Sequence, residues 1–196
     1  MTVSANNPVK ALRTTEEIVD ALERHERAGV TELATKTNEL ITLTVEEHGQ
    51  GIYLDVNQDS ADIHYPAISG ARVKIHCTAA GKAMFAHLSD ARVEEVIERH
   101  GLPAQTDETL TTREELFEEL ETVRERGYAY DRQEFRNGMR SIGAPILDES
   151  GNVLGGLSVA GPTHRLDGDR LETDLPTKLF QSVNVVELNY NEPTIK

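Results

Sequence analysis

The sequence predicts an α+β fold with a mainly antiparallel sheet and helices packed beside it. Two observations carry this expectation. Short alternating segments come as hairpins: Leu43 and Val45 alternate with Thr42 and Thr44, the turn-like residues 46–51 follow, and Ile52, Leu54 and Val56 alternate again. The helical patterns stand in blocks, in the order helices, strands, three helices, strands and a last helix. At 196 residues the length suits one full domain with a small appendage.

Residues 1–8 are polar. Thr14 and Glu17 are spaced as a capping box, opening a helix whose Leu12, Ile18, Val19 and Leu22 share one face. Ala28-Gly29 is expected to stop that helix, and Thr31 to cap a second short one over residues 31–38. After the hairpin, residues 57–61 form a polar tip, and residues 63–68 and 72–76 read as two more extended pieces. Thr78 then sits as an N-cap before a helix over residues 79–88. Ser89-Asp90 caps the next helix, which Gly101 and Pro103 end. Thr112 and Glu115 make another capping box, Leu116, Leu120 and Val123 follow at i, i+4 and i+7, and Gly127 closes that helix. Residues 128–130, 139–147 and 153–160 read as strands, with Gly161-Pro162 stopping the last. The tail from Asp167 is helical, interrupted or restarted at Pro176, with Val183, Val186 and Leu188 on its apolar face.

A net charge of −14 argues against nonspecific attraction to nucleic acid, which needs Lys and Arg. An acidic excess also suits a high-salt cytoplasm, where repulsion is screened. Cys77 is the one cysteine, so neither an intrachain disulfide nor a cysteine zinc cluster can form. No leader and no bilayer-length apolar run is visible, and a cytoplasmic location is expected.

The chain is organised around His76-Cys77-Thr78-Ala79-Ala80-Gly81, where a strand-like run gives way to a helix. Small residues at a helix start expose backbone N–H groups that attract anions. They equally let a helix pack closely on a sheet. Two further segments join this one: Tyr130-Asp131-Arg132-Gln133-Glu134 leading to Gly138-Met139-Arg140-Ser141, and Gly156-Leu157-Ser158-Val159-Ala160-Gly161-Pro162. Ser141 and Ser158 lie in strands that otherwise hold apolar residues, and a buried hydroxyl is costly unless it is hydrogen-bonded. They point into one cavity, or else they bond backbone carbonyls or face water. Catalytic signatures are missing: there is no Gly-x-Ser-x-Gly, Walker loop, GxGxxG or metal-spaced histidine pair. Cys77 before a helix start is the remaining nucleophile candidate, and a lone cysteine is more often a small buried hydrophobe. The acidic residues Glu114, Glu115, Glu118 and Glu119 read as a solvated helix face. No enzyme activity, cofactor or metal is expected.

From about Glu39 onward the sequence resembles the effector-binding domain of IclR-family transcriptional regulators. The matching features are Val45-Glu46-Glu47-His48-Gly49, the stretch from His76 to Leu88, and Arg124-x-Arg126-Gly127-Tyr128. Gly138-x-x-Ser141-Ile142-Gly143-Ala144-Pro145-Ile146 and Val159-x-Gly161-Pro162 complete the set. The resemblance implies a GAF-like domain over residues 39–196 that binds a small organic or aromatic acid. It implies that the ligand carboxylate meets the backbone amides of Ala79 and Ala80, with Asp131, Ser141 and Ser158 as polar partners. It also implies homodimers or dimers of dimers and operator DNA as a partner; no membrane partner is expected, since no apolar run is long enough to span a bilayer.

Residues 9–38 resemble the opening of the family's winged helix-turn-helix, with Val9-Lys10-Ala11-Leu12 and Ala28-Gly29-Val30-Thr31-Glu32-Leu33-Ala34 fitting its first two helices. The recognition helix and wing do not follow, because Thr37-Asn38 runs straight into Glu39-Leu40-Ile41. Residues 1–38 are then a remnant of the DNA-reading domain, or residues 31–38 serve as the effector domain's own first helix. Autonomous operator binding is expected to be weak or absent. Lys10, Arg13, Arg24, Arg27 and Lys36 are few and balanced by Glu. The alternative function is a sensor without its own DNA reader that pairs with a full-length relative.

Overall fold

The first hairpin is set by two residues. His48 and Gly49 both take positive φ, 53° and 86°, the turn whose twist matches that of the flanking strands. Strand β1 (Leu40–Glu47) thereby pairs with β2 (Gln50–Asn57), Glu47 opposite Gln50. The computed structural model describes residues 28–58 and 67–191. Helix α1 (Ala28–Thr37) precedes β1, and β3 (Arg72–Val73), a 3-10 turn (Ile75–Cys77), α2 (Ala79–His87), α3 (Asp90–His100) and α4 (Arg113–Arg126) follow β2. The chain continues through β4 (Ala129–Arg132), β5 (Met139–Leu147), β6 (Val153–Pro162), a π-helical turn (Arg170–Asp174) and α5 (Leu175–Asn191).

The six strands form one sheet in the order β3-β2-β1-β6-β5-β4, every neighbouring pair antiparallel. This is the expected α+β class. One face carries Ile41, Leu43, Ile142, Leu157 and Val159 against Val30 and Leu33 of α1 and Leu175, Leu179 and Val183 of α5. Burial of each such side chain contributes about 1.5–3 kcal/mol. The other face lies under α2, whose Met84 and Phe85 join Val93, Leu116, Leu120 and Val123 in a second core. The caps are local and follow the sequence: Thr78 accepts from the Gly81 N–H, Ser89 from the Arg92 N–H, and Thr112 and Glu115 close their capping box. Gly127 ends α4 in the left-handed region at φ 83°.

Several local expectations are corrected. Ala28 and Gly29 lie inside α1, and Thr31 is an interior residue whose carbonyl accepts the Thr35 hydroxyl. Gly29 is a packing position, since a Cβ there would lie 3.0 Å from the Ser182 carbonyl oxygen of α5. The extended run expected over residues 72–76 stops at Val73 and turns into the 3-10 segment. Strand β6 runs on through Gly161 and Pro162. The restart expected at Pro176 is seen one residue earlier: the last α-helix begins at Leu175, after a π turn in which the Leu175 N–H reaches the Arg170 carbonyl. Leu188 faces solvent at 67% exposure, while Val183 and Val186 are buried. The capping box at Thr14 and Glu17, the helix it opens, most of the polar tip at 57–61 and the extended piece at 63–68 up to residue 66 lie outside the described residues.

Candidate functional site

Strand register brings the polar residues of four strands onto one face. Asp131 of β4 lies opposite Ser141 of β5, Ser141 opposite Ala160 of β6, and Ala160 opposite Leu40 of β1. Two residues along the same face, Gly143 lies opposite Ser158, and Ser158 opposite Thr42. A further step puts Gly156 between Pro145 and Thr44, and Thr44 opposite Tyr53. Because side chains alternate across a strand, all of these turn toward α2. The polar groups run diagonally over the sheet: Asp131, Ser141, Ser158, Thr42, Thr44.

Helix α2 rests its first turn on bare backbone. A Cβ on Gly143 would lie 2.5 Å from the Ala80 nitrogen, and one on Gly156 would lie 2.9 Å from the Ala80 oxygen. The small residues at the start of α2 therefore do pack the helix tightly on the sheet. Thr78 satisfies the Gly81 N–H at 3.1 Å, leaving the amides of Ala79 and Ala80 outside the helix's own ladder.

Between this turn, the sheet and the segment 131–141 lies a cleft of about 470 Å³, its open mouth included. Ala80, Asp131, Ser141 and Ser158 all line it. Ala79 is fully buried and stands behind the wall, against Gly143. Tyr53, Phe135 and Met139 supply apolar surface, and the cations of Arg136 and Arg140 line it as well. The three segments singled out in the sequence thus share one cavity.

Asp131 is 5% exposed. Its Oδ1 accepts the Glu134 and Phe135 N–H groups at 2.7 and 3.2 Å, and its Oδ2 accepts the Ser141 hydroxyl at 3.2 Å. Burial, reinforced by the nearby Glu134, pushes its carboxyl up to about 7. Ser158 and Thr42 share a hydrogen bond of 2.7 Å. Beside the cleft, Lys82 is buried and pairs with Glu134 at 2.5 Å and with Glu119 at 3.7 Å. Burial raises the Glu134 carboxyl, and Lys82 pulls it back.

Cys77 does not fit a nucleophile. It is fully buried, its thiol donates to the Lys74 carbonyl at 3.4 Å, and burial followed by the Asp131 charge pushes it up to about 12. His76 is buried and held down near 4 by burial. Among the described residues no three His, Cys, Asp or Glu side chains gather to hold a metal ion, and no helix is long and apolar enough to cross a membrane.

Sequence reading missed Thr42, Thr44 and Lys82. The threonines carry the alternation that a solvent-facing strand also shows, so only the neighbouring β6 and α2 reveal them as buried. Lys82 carried a signal: a lone cation inside an otherwise small and apolar helix needs a buried partner.

The chain matches the family model described as bacterial transcriptional regulator IclR, C-terminal, over residues 18–186. It is 31% identical over 170 residues to the probable HTH-type transcriptional regulator ArcR of Halobacterium salinarum, covering 85% of this chain and 65% of that protein. It is 32% identical over 155 residues to the transcriptional repressor IclR of Escherichia coli, covering 79% and 56%. The chain therefore spans between 56% and 65% of the length of these two relatives. The crystal structure of the C-terminal domain of the E. coli transcriptional regulator KdgR superposes with a TM-score of 0.77 at 27% identity, covering 89% of this chain and 98% of that one. With its fold, its cleft and these likenesses in agreement, the chain belongs to the IclR family of bacterial transcriptional regulators, and its described residues form the family's C-terminal domain.

Proposed function

We propose that the cleft under α2 binds a small carboxylic acid and that its occupancy sets the DNA affinity of an IclR-type regulator. One observation carries this reading: buried hydroxyls and a buried carboxyl converge beneath a helix start whose first amides lie outside the helix's own ladder. Ala80, Asp131, Ser141 and Ser158 form the polar wall of the binding site, and Ala79 contributes backbone only. Tyr53, Phe135 and Met139 offer apolar surface to the acid's carbon skeleton. A ligand that binds one arrangement of an oligomer better shifts the population toward it, and DNA affinity follows by linkage.

A thermal-shift screen against short and aromatic carboxylic acids tests this. A ligand at a hundred times its Kd stabilises by about 2.7 kcal/mol. Ser158→Ala and Asp131→Ala are expected to shrink the shift. Equal shifts in the wild type and both variants place the ligand elsewhere and reject the assignment.

A second reading has its own support. Val30 and Leu33 of α1 sit in the main core with α5, so residues from about 28 onward belong to the effector-binding domain rather than to a DNA reader. The protein then acts as a sensor through a full-length relative. A gel shift separates the two. Nanomolar, sequence-specific binding by the chain alone supports the regulator, and co-purification with a relative in the absence of such binding supports the sensor.

A further inference from the structure

A second pocket lies away from the cleft, where β2, the 3-10 turn, α2 and α3 meet. It measures about 310 Å³, its open mouth included, and Gln50, Lys74, His76 and His100 line it together with apolar Phe85 and Leu102. None of its lining residues is acidic, in a chain with 34 Asp and Glu side chains. His76 is 4% exposed, and its buried Nε2 has no hydrogen-bond partner among the described residues. Lys74 is half-buried and unpaired among them, whereas Lys36, Lys82 and Lys178 each hold a carboxylate. We propose that this pocket is a halide site, in which a chloride ion sits between the Lys74 ammonium and the His76 ring N–H. The site is independent of the acid-binding cleft.

Charge selects an anion. Burial disfavours the protonated His76 ring, the Pro103 carbonyl favours it, and Lys74 and Lys82 disfavour it again. An anion in the pocket offsets the two lysines and holds a ring proton on Nε2. Apolar walls around charges of one sign concentrate their field on a counterion. A metal cation meets that field as repulsion, and no carboxylate lines the pocket to hold it. Size then selects a monatomic ion. The enclosed part admits one water-sized guest, which excludes phosphate and sulfate. Gln50 adds a donor: its Oε1 accepts from Arg72 at 3.3 Å, which leaves its NH2 for the ion.

The position gives the ion a structural consequence. His76 stands just before Thr78, the N-cap of α2. His100 ties the end of α3 to the β1–β2 turn by donating from Nε2 to the His48 carbonyl at 2.7 Å. A bound halide fastens the segment that feeds α2 to this neighbouring framework. A water molecule also satisfies Nε2, but it makes no use of the Lys74 charge, so the lysine separates the two guests.

Two measurements on the whole chain test this. Crystals grown in sodium bromide, with data collected at the bromine absorption edge, are expected to show an anomalous peak within hydrogen-bond reach of Lys74 Nζ and His76 Nε2. In solution, the wild type should broaden the chloride-35 NMR line in a saturable way that bromide competes away. Lys74→Met should bind chloride at least about tenfold more weakly, and Lys74→Arg, which keeps the charge, should retain most of the binding. At constant ionic strength, exchanging gluconate for chloride should raise the melting temperature of the wild type more than that of Lys74→Met. In gluconate alone the two should melt together, because Lys74 has no partner to lose. A pocket that holds only water in bromide overturns the site. So does bromide found only on exposed cations elsewhere, an adventitious ion only, or a Lys74→Met variant that binds chloride as the wild type does. A Lys74→Met variant already less stable in gluconate makes Lys74 a residue of the fold and overturns its role here.

Discussion

The Ser141 hydroxyl reaches Asp131 Oδ2 across the β4–β5 pair at 3.2 Å, while Oδ1 of the same carboxyl holds the backbone N–H groups of Glu134 and Phe135. One side chain thus shapes the turn after β4 and faces the cleft. Its carboxyl is raised from 3.8 to about 7, so the folded protein holds this proton more tightly than the unfolded chain does. The stability that results is fully present below about pH 4 and is lost as pH rises through about 7. Urea titrations from pH 4 to 9 on the wild type and Asp131→Asn are expected to show the difference falling across this window and flat above about pH 8. A difference independent of pH would mean that Asp131 ionises normally.

Lys82, 1% exposed, and Glu134 form an ion pair inside the protein. Lys82→Met leaves the Glu134 carboxylate buried beside Glu119 without its cation. The expected cost is about 3–5 kcal/mol. Replacing both partners, as Lys82→Met with Glu134→Leu, removes the stranded charge and should recover most of that loss. Denaturant midpoints of the three proteins check it, and a double variant as unstable as Lys82→Met would show that Glu134 matters for its backbone contacts rather than its charge.

What was legible in the sequence is what neighbours in the chain decide. Thr78, Ser89 and the Thr112–Glu115 box act within one turn, and the β1–β2 hairpin is set by two residues. The fold class and the convergence of Ala80, Asp131, Ser141 and Ser158 were also within reach, because motif order constrains them. What escaped depends on distant partners. Gly29 reads as a stop until α5 lies against it, and the π form of the turn before Pro176 has no local signature. Lys82 and Glu134 are 52 residues apart. Thr44 is indistinguishable from a surface threonine until α2 covers the sheet.

Gly143 lets α2 approach the sheet. An alanine Cβ would meet the Ala80 nitrogen at 2.5 Å and the Ala79 carbonyl carbon at 2.6 Å, both backbone atoms that no rotamer change can move. Gly143→Ala is expected to lift the first turn of α2, costing about 1–3 kcal/mol or more, and to abolish acid binding. Gly138→Ala serves as the contrast. Its Cβ would meet nothing within 4 Å, and only its φ of 78° is strained, at a cost of about 1–2 kcal/mol. Thermal unfolding with and without a bound acid separates the two, because only Gly143→Ala should lose the ligand-induced shift.

The Thr42–Ser158 hydrogen bond joins β1 and β6 at the centre of the sheet, with both hydroxyls buried. Ser158→Ala strands the Thr42 hydroxyl, and Thr42→Val strands that of Ser158. Each is expected to cost about 1–3 kcal/mol. The double variant removes both groups and leaves nothing unpaired, so its loss should fall short of the sum by about 1 kcal/mol. Acid binding should respond differently. If Ser158 reaches the ligand directly, the double variant binds no better than Ser158→Ala even where its stability is partly restored. Recovery of binding together with stability would assign Ser158 to the sheet rather than to the effector.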